Sequence, residues 1–523
     1  MGISITSRSP IDTKGSLFER LLAVTPALAS KDFTLWGKEA EAESAIRLNW
    51  IDLPTASQVL FAQLTDRQNW AAEKGLHQFI LCGMGGSSLG PEVLAKSAGK
   101  KFTILDSTDP AQVIASTPAD LAHVGIIVGS KSGSTAETAS QKAYFTKLLV
   151  DAGLDPRNHF IIITDPGSPF DIASRQDGYF VVNADPNVGG RFSVLTAFGL
   201  VPAAVLGIDF QLLLSDARAA ASTFTLPDSP AVKIATAILQ ADIQNIAFFD
   251  SGSKVPGLSD WIEQLIAEST GKEEKGLFPI AISSDSEAIA GQALKIGFND
   301  GDFDLVIKAP LGAQFILWEW VTCLIAYHLQ INPFDQPNVQ DAKTRCVALL
   351  KDWKNVVPVL APVYETENIQ AFSSFAQHSL GTQNPIVGLE DLVRDFLKFS
   401  PQYIAIMAYL GRGVDDSILP IRSTVAKFSG VGTSFGWGPR FLHSTGQFHK
   451  GGPKNGAFIQ ITGESAIDVA IPGQNYSFHT LLMAQALGDG QALVEKNLPL
   501  LRFHLRNREA GIKELLELFT NIS

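Results

Sequence analysis

QFILCGMGGSSLGP, residues 78–91, decides the fold: a short apolar run meets a glycine-rich loop, and helix-forming residues follow. An apolar run of this length that ends at glycines predicts a buried strand. The same succession of strand, loop and helix recurs further on, for example in VGIIVGSKSGSTAET at residues 124–138. Alternating strands and helices predict an α/β fold, with parallel sheets flanked by helices on both faces.

The pattern divides the chain into four parts. Residues 1–65 have helical spacing throughout, and the first set of strands and helices occupies residues 66–225. A second α/β set covers residues 226–363. The last part, residues 364–523, combines strands with a C-terminal helix and carries a glycine-rich loop that contains two histidines.

Composition narrows the class of protein. Of the 523 residues, 46% are hydrophobic and 18% are charged, which excludes a largely disordered chain. The net charge of −12 argues against nucleic acid as the main partner. The longest apolar run, residues 192–208, is short for a membrane span and contains a proline, so we expect buried helices there. With no N-terminal signal and three scattered cysteines, the sequence predicts a cytoplasmic protein without a metal site.

Two loops predict a phosphate-binding site. GMGGSSLGP, residues 83–91, follows one strand and offers the hydroxyl groups of Ser87 and Ser88 beside flexible glycines. SKSGSTAET, residues 130–138, crowds hydroxyl and ammonium groups at the start of a helix. Short donors and helix N–H groups together suit a phosphate monoester. A tight turn without a ligand and a solvated capping loop remain as alternatives.

Arg191 lies in NVGGRFSVLTAFG, residues 187–199, between two glycines and an apolar helix. An arginine that enters a buried region needs an anionic partner. The residues alone leave two alternatives open, a structural salt bridge and the stabilisation of an oxyanion that forms during a reaction.

Two further segments carry polar side chains at helical spacing. Glu268 ends a helical pattern, with Gln264 one turn earlier on the same face. Gln336 and Lys343 are two helical turns apart, so they can also share a face. Taken alone, these segments are as well explained by a solvated helix end and a solvated loop.

The glycine-rich loop GPRFLHSTGQFHKGGPKNG, residues 438–456, contains His443 and His449. A histidine near neutral pH can act as an acid or a base, but many histidines are only packed or solvated. The loop by itself does not decide between these roles.

Five of these segments, in this order, resemble the glucose-6-phosphate isomerase family. NVGGRFSVLTAFG resembles the family's GGR[FY]S signature, and NPFDQPNVQDAK resembles its FDQ…K signature. GMGGSSLGP and SKSGSTAET are similar to its sugar-phosphate loops, and AESTGK to the segment with its catalytic glutamate. The resemblance covers about residues 78–345. It implies two flavodoxin-like sugar isomerase (SIS) domains, no cofactor or metal, and a homodimer with the active site at the domain and subunit boundary.

The resemblance also implies a role for each matching residue. Arg191 would stabilise an enediolate, and Glu268 would move a proton between C1 and C2 of the sugar. Lys343 would work with a histidine near the ring oxygen. The residues implied to bind the substrate are Gly86, Ser87, Ser130, Lys131, Ser132, Thr135, Gln264 and Gln336.

The ring-opening histidine is where this chain departs from the family. The interval that holds it in the family contains only His328 here, inside an apolar helix, and its expected place reads GFNDGD at residues 297–302. The C-terminal loop is similar to the family's histidine segment, an arrangement that resembles the isomerase part of transaldolase–isomerase fusion proteins. The resemblance therefore implies His443 as the ring-opening residue, with His449 second.

Together these similarities imply a cytoplasmic aldose–ketose isomerase that interconverts D-glucose 6-phosphate and D-fructose 6-phosphate through a cis-enediolate. Two alternatives remain. A non-catalytic sugar-phosphate-binding protein with SIS domains would bind the same ligand without turnover. A dual phosphoglucose and phosphomannose isomerase would also accept mannose 6-phosphate.

Overall fold

The computed structural model describes residues 2–282, 284, 287–353, 355–375 and 388–522. Three β-sheets organise this part of the chain, each packed against helices. The strands are β1 Ser4–Ser7, β2 Gln78–Gly83, β3 Thr103–Leu105, β4 Val124–Gly129, β5 Phe160–Thr164, β6 Phe180–Asn183, β7 Asn245–Phe249, β8 Phe278–Ile282, β9 Leu294–Gly297, β10 Leu305–Lys308, β11 Tyr364–Glu365, β12 Ile369–Ser373, β13 Tyr403–Tyr409, β14 Gly432–Trp437, β15 Gly456–Gly463 and β16 Leu500–Leu505.

The helices lie between and around these strands. They are α1 Ser16–Ala29, α2 Glu41–Arg47, α3 Leu53–Ala56, α4 Phe61–Glu73, α5 Leu89–Ser97, α6 Pro110–Ala115, α7 Ala136–Asp151, α8 Pro169–Gln176, α9 Ala197–Val205, α10 Phe210–Ala221, α11 Pro230–Ala241, α12 Leu258–Thr270, α13 Leu311–Leu329, α14 Val339–Trp353, α15 Leu389–Leu397, α16 Ile421–Ser429, α17 Gly446–Gly451, α18 Phe478–Glu495 and α19 Arg508–Asn521.

The first sheet has the order β3-β2-β4-β5-β6, and all its strands are parallel. Taken in chain order this is second, first, third, fourth and fifth, the order of flavodoxin-like folds. All six residues of β4 are buried, because helices cover both faces of the sheet. The predicted α/β class, with parallel sheets between helices, is confirmed.

The second sheet has the order β1-β10-β9-β7-β8. Its four later strands are parallel, and β1 is added antiparallel to β10, with Ser4 opposite Lys308. The prediction that the opening residues are helical throughout was therefore wrong for β1. Four residues are too few to show the alternating pattern that predicts a strand. They form β1 because the edge of β10 is free to pair with them.

The third sheet has the order β11-β12-β16-β15-β13-β14. Strands β13 to β16 are parallel and follow the same reversal as the first sheet, with the second strand outside the first. The run DVAIP, residues 468–472, has the apolar composition of a strand but forms only an isolated bridge between Ala470 and Ser477. Pro472 lacks the N–H that a ladder needs, which explains the difference.

The long apolar run at residues 192–208 forms one buried helix, α9, after a single 3₁₀ turn. We expected a pair of helices there. No helix in the described ranges is long and apolar enough to cross a membrane. The predicted division of the chain into four parts stays a prediction.

Buried ion pairs join the first and third sheets. Arg440 donates to Asp106 at 2.5 Å, and Arg508 contacts both Asp109 at 2.6 Å and Asp415 at 2.8 Å. Asp106 and Asp109 follow β3, whereas Asp415 follows β13. The carboxyl ends of the two sheets therefore face each other, and the loops that leave them meet in one crevice.

Candidate active site

The strand order of the first sheet reverses between β2 and β4. These strands end at Gly83 and Gly129, which are directly paired. The chain leaves β2 towards one edge of the sheet and β4 towards the other, so the two following loops border an open crevice. Ligands of open α/β sheets bind at such reversal points. The structure thus brings together the two loops that the sequence predicts to hold a phosphate.

Two glycines allow the first of these loops to pack closely. Gly85 has φ +56°, and a Cβ atom there would lie 2.7 Å from the carbonyl oxygen of His443. A Cβ atom on Gly86 would lie 1.9 Å from the carbonyl oxygen of Gly190. The loop therefore contacts the Arg191 segment on one side and the His443 loop on the other, which fixes the relative positions of all three.

Hydroxyl groups of the second loop surround the start of α7. Ser130 Oγ accepts from the N–H of Gly133 at 3.1 Å and lies 3.4 Å from Thr135 Oγ1. Ser132 and Ser134 share a hydrogen bond of 2.6 Å at the surface. In the first loop, Ser87 is half-buried, and its hydroxyl makes no hydrogen bond within the described part of the chain. These donors and the first N–H groups of α7 face the same crevice.

Lys131 points away from these hydroxyls. Its ammonium donates to the carbonyl of Val188 at 2.8 Å and pairs with Asp165 at 3.0 Å. Burial lowers the pKa of Lys131, although Asp165 opposes this shift. The side chain thus ties the phosphate loop to the Arg191 segment, and the backbone N–H of Lys131 is what remains for a ligand.

Arg191 is 3% exposed, and all three nitrogens of its guanidinium donate hydrogen bonds. Nε donates to the hydroxyl of Ser269 at 2.8 Å, and Nη1 donates to Gln336 at 2.9 Å. Nη2 donates to the carbonyl of Pro333 at 2.5 Å. Burial lowers the pKa of Arg191, opposed mainly by the charge of Glu268. The guanidinium is held rigidly, which is what a fixed positive charge in a site requires.

Glu268 lies in the last turn of α12, 3.3 Å from Nη1 of Arg191. Burial raises the pKa of this carboxyl, and Arg191 and His443 act against the shift. A carboxylate with a raised pKa is a stronger base than a solvated one. Ser269, the next residue, holds Arg191, so a single helix end positions the base and the cation together.

Gln264 connects the base to the histidine loop. Its Nε2 donates to the carbonyl of His443 at 2.7 Å and lies 3.4 Å from Oε2 of Glu268. One turn of α12 separates Gln264 from Glu268, as the sequence spacing predicts.

His443 ends a 3₁₀ turn that follows β14. Its Nε2 lies 3.1 Å from Oε1 of Glu137, which also accepts from Gln485 at 2.7 Å. Burial acts to raise the pKa of Glu137, but the charge and hydrogen bond of His443, with a backbone N–H and the charge of Lys343, together lower the pKa of this carboxyl. The ionised carboxylate of Glu137 orients the imidazole of His443.

A cavity of about 740 Å³ adjoins this pair. Thr135 and Glu137 from the start of α7 line it, together with Lys343 from α14 and His443. Helix α18 closes one side through Gln485. The cavity therefore joins the predicted phosphate loop, the predicted lysine and the predicted histidine.

His449 lies outside the cavity. It is 4% exposed and packs between the rings of Phe441 and Phe458, at centroid distances of 5.8 Å and 5.3 Å. Neither ring nitrogen has a hydrogen-bond partner among the described residues. Burial, with the charge of Lys450, holds the pKa of His449 well below its usual value. A neutral packed ring explains this second histidine.

Sequence reasoning missed several side chains that position the site. Lys272 donates to Asp335 at 2.6 Å, and burial with the charge of Arg191 lowers its pKa to about 8. Glu137 lies in the motif SKSGSTAET and Ser269 in the motif AESTGK, so the sequence could have indicated that both are near the site. Gln485 offered none, because its helix lies 348 residues from Glu137.

Known proteins share this arrangement of sequence and fold. The phosphoglucose isomerase family model matches residues 59–275. A glucose-6-phosphate isomerase of Listeria monocytogenes (strain EGD-e) is 32% identical over 400 residues, which cover 58% of this chain and 86% of the relative. This chain belongs to the phosphoglucose isomerase family.

Other relatives share sequence or fold with it over different lengths. A glucose-6-phosphate isomerase of Thermus thermophilus is 32% identical over 259 residues, 48% of this chain and 61% of that protein. The crystal structure of a glucose-6-phosphate isomerase from Chlamydia trachomatis superposes with a TM-score of 0.54 at 18% identity, covering 67% of this chain and 89% of that one. The superposition shows that this member of the phosphoglucose isomerase family shares the fold of that enzyme.

Proposed function

We propose that this member of the phosphoglucose isomerase family interconverts D-glucose 6-phosphate and D-fructose 6-phosphate. One observation carries the proposal. A buried carboxylate, Glu268, lies beside the fixed guanidinium of Arg191 and near the histidine His443, at the edge of a crevice bordered by two hydroxyl-rich loops. The names of the Thermus and Listeria relatives support the same reaction.

The phosphate of the sugar binds at the start of α7. Ser130, Ser132 and Thr135 supply hydroxyl groups there, Ser87 supplies another from the facing loop, and the backbone of Lys131 supplies an N–H. The N-terminal N–H groups of a 16-residue helix add further donors and a positive dipole. Binding energy from this remote group orients the sugar at the reacting carbons.

His443 opens the sugar ring. Its imidazole donates a proton to the ring oxygen as the bond between C1 and that oxygen breaks, and the hydroxyl on C1 gives its proton to solvent water and becomes the carbonyl oxygen. Glu137 orients the imidazole, and the ammonium of Lys343 lines the same cavity. His449, packed between phenylalanine rings, has no part in this step.

Glu268 then moves one proton. Its carboxylate takes the proton from C2 of the open-chain aldose and returns it to C1, while a proton passes from O2 to O1. The intermediate is a cis-enediolate, whose negative charge the fixed guanidinium of Arg191 stabilises more than it stabilises the substrate. Gln264 and Gln336, which flank Glu268 and Arg191, contact the sugar hydroxyls, and Gly86 lets the loop backbone come close. No step in this scheme calls for a metal or a redox cofactor.

The working form we propose is a homodimer in the cytoplasm, of the type found in the isomerase part of transaldolase–isomerase fusion proteins. The three cysteines, all buried and unpaired, suit a reducing compartment. Sedimentation equilibrium at several concentrations measures the mass in solution, and a monomer mass at assay concentrations would contradict the dimer.

A coupled assay tests the activity. Fructose 6-phosphate is supplied with glucose-6-phosphate dehydrogenase and NADP, with and without a chelator, and NADPH formation is followed. We expect turnover that the chelator leaves unchanged. Calorimetric binding of fructose 6-phosphate without turnover would instead support the sugar-phosphate sensor, and conversion of mannose 6-phosphate would show the dual isomerase.

A further inference from the structure

Strands β15 and β16 present an unusually polar face to helix α18. Gln460 and Thr462 on β15 lie directly beside Arg502 and His504 on β16. The alternate residues of the same strands, such as Ile461, point to the apolar core on the other side of the sheet. Parallel strands covered on both faces are normally apolar on both. Thr462 and His504 hydrogen-bond each other at 2.9 Å, and Gln460 donates to a carbonyl of α18, so Arg502 is the member of this face whose side chain has no hydrogen-bond partner among the described residues.

Arg502 is the centre of this face. The side chain is 6% exposed, and its guanidinium lies 3.8 Å from the ring centroid of Phe372. In the described ranges it pairs with no carboxylate and donates no hydrogen bond, and burial is the cause that lowers its pKa to about 10. An arginine buried without an anion destabilises a fold, because the lost hydration is not replaced.

Two adjoining clefts reach Arg502, with volumes of about 450 and 530 Å³. They lie between β16, β12, α18 and the extended segment at residues 355–360. Gln460 borders the first cleft. Its Nε2 donates to the carbonyl of Ala486 at 2.8 Å, whereas its Oε1 is buried without a donor among the described residues. The clefts thus present one cation that lacks an anion and one acceptor that lacks a donor.

The remaining charges around the clefts are already paired or exposed. His504 lies 3.2 Å from Glu464, which is 59% exposed. Arg506 pairs with Glu365 on the outer strand. Asp468, which also lines the second cleft, is exposed and accepts from the N–H groups of Val469 and His479. Arg502 is therefore the buried charged group at these clefts that has no counterion within the described part of the chain.

Helix α18 separates these clefts from the proposed active site. Gln485 of this helix reaches Glu137 and the cavity beside His443. Leu487 lies on another face of the helix and lines both clefts at Arg502. A ligand at Arg502 would thus occupy a different site, on the far side of a shared helix.

We propose that Arg502 anchors a second ligand site, for a small hydroxylated anion: a metabolite with a phosphate or carboxylate group for the guanidinium and a hydroxyl for Gln460. The fork of an arginine matches both phosphate and carboxylate oxygens, and the ring of Phe372 holds its plane in place. Because the site is separate from the proposed isomerase chemistry, it can be tested by binding alone.

Calorimetry with three probes tests the proposal: inorganic phosphate, glycerol 3-phosphate and glycerate. Each is titrated into the full chain in the presence of saturating fructose 6-phosphate, and again without it. We expect one anion site that still binds when the sugar phosphate is present. In Arg502→Gln its affinity for the anion should fall about tenfold or more, because a charge-assisted hydrogen bond is lost. Arg157→Gln removes an exposed arginine with the same charge change and should leave the site intact. The comparison of the probes shows whether phosphate or carboxylate is the preferred group.

A second variant keeps the test decisive if Arg502→Gln folds poorly. Arg502→Met removes the unpaired charge and keeps the length of the side chain. We expect it to raise the melting temperature of the free protein and to abolish stabilisation by the anion. Equal anion binding in wild type and both variants overturns the proposal. So does a lower melting temperature in Arg502→Met without any anion effect in wild type, because the arginine would then be structural. Dissociation of a dimer in Arg502→Gln, with no anion bound by wild type, would also overturn it and assign the arginine to a second copy of the chain.

Discussion

At Glu268, burial and charge act in opposite directions on one carboxyl. Burial raises its pKa, and the guanidinium of Arg191 at 3.3 Å lowers it. The net upward shift leaves a carboxylate that is basic enough to accept a carbon-bound proton and is still held beside a cation.

Glu268→Gln tests whether Glu268 is the base of the proposed reaction. The amide keeps the size and the hydrogen bond to Arg191 but cannot take a proton, so we expect kcat to fall by about 10³-fold. Fructose 6-phosphate binding, measured by calorimetry, should change little. The exposed Glu39→Gln serves as a control for the charge change. A Glu268→Gln variant with kcat near that of wild type would remove Glu268 from the reaction.

Glu137→Gln tests the orientation of His443. The neutral amide can still contact the imidazole but cannot stabilise its protonated form, so we expect isomerisation of the cyclic substrate to slow by about 10- to 100-fold. Proton exchange from an open-chain analogue, which needs no ring opening, should be affected less. The two rates are compared in the same preparation. An equal loss in both would mean that Glu137 maintains the site as a whole.

At the scale of the element, one turn and one helix position the groups that we propose to react. The loop after β2 touches the Arg191 segment through Gly86, where no side chain fits. Helix α12 positions Gln264, Glu268 and Ser269 from one end. Displacement of either element would separate groups that the reaction needs within hydrogen-bonding distance.

Gly86→Ala places a methyl group 1.9 Å from the carbonyl oxygen of Gly190. The backbone cannot yield without moving the loop, so we expect kcat/KM to fall about 100-fold, as a displacement near 1 Å can cause. Gly189→Ala is the matched control, because its Cβ atom would meet nothing closer than 3.8 Å. Both are measured in the coupled assay and by thermal melting. Similar activities for the two variants would show that the contact at Gly86 does not position the site.

Glu263 on α12 gives a prediction for the pH dependence of stability. Burial raises its pKa to about 8, partly opposed by the N–H of Ala281 at 3.3 Å. Because the folded protein then holds this proton more tightly than the unfolded chain, its contribution is present at acidic pH. That contribution is lost as the pH rises from about 4.5 to about 8. Glu263→Gln should therefore raise the melting temperature at pH 8 but not at pH 5.

Melting curves of wild type and Glu263→Gln at both pH values check this sign. The exposed Glu39→Gln again controls for the lost charge. If Glu263→Gln lowered the melting temperature equally at both pH values, the side chain would be an ordinary structural acceptor.

At the scale of the whole molecule, the site exists because the first and third sheets face each other at their carboxyl ends. Arg440 holds this arrangement between Asp106 at 2.5 Å and Glu92 at 2.7 Å, all three nearly excluded from water. His443 lies three residues after Arg440, in the same 3₁₀ turn. The ion pairs between the sheets thus also place the histidine.

Arg440→Leu removes the buried cation that contacts both Asp106 and Glu92, so these carboxylates keep only the more exposed Arg412 and Lys96 as partners. We expect the free energy of unfolding to fall by about 3–5 kcal/mol and activity to fall with it. Removing the two carboxylates as well, in the triple variant Glu92→Gln, Asp106→Asn, Arg440→Leu, should recover part of the stability, because no buried carboxylate of this cluster then lacks the charge of Arg440. Arg47→Leu breaks a more exposed pair with Glu43 and should cost about 1 kcal/mol or less. Denaturant unfolding measures all three, and equal costs for Arg440→Leu and Arg47→Leu would contradict the role of Arg440.

The sequence by itself determined the local features of this protein. Apolar runs that end in glycine predicted the strands of the first sheet, because strands buried on both faces must be apolar along their length. The spacing of Gln264 and Glu268 predicted one helix face. The order of the motifs predicted the family and named His443 ahead of His449.

Only the tertiary structure decided which distant segments meet. Strand β1 and the pairing of Glu137 with Gln485 have no local signal, because each depends on a partner far away in the chain. The same holds for Arg502, which has no counterion among the described residues. The side chain of Lys131 is directed to Asp165 for the same reason. Periodicity reports how a residue is buried, whereas long-range packing determines what it is buried against.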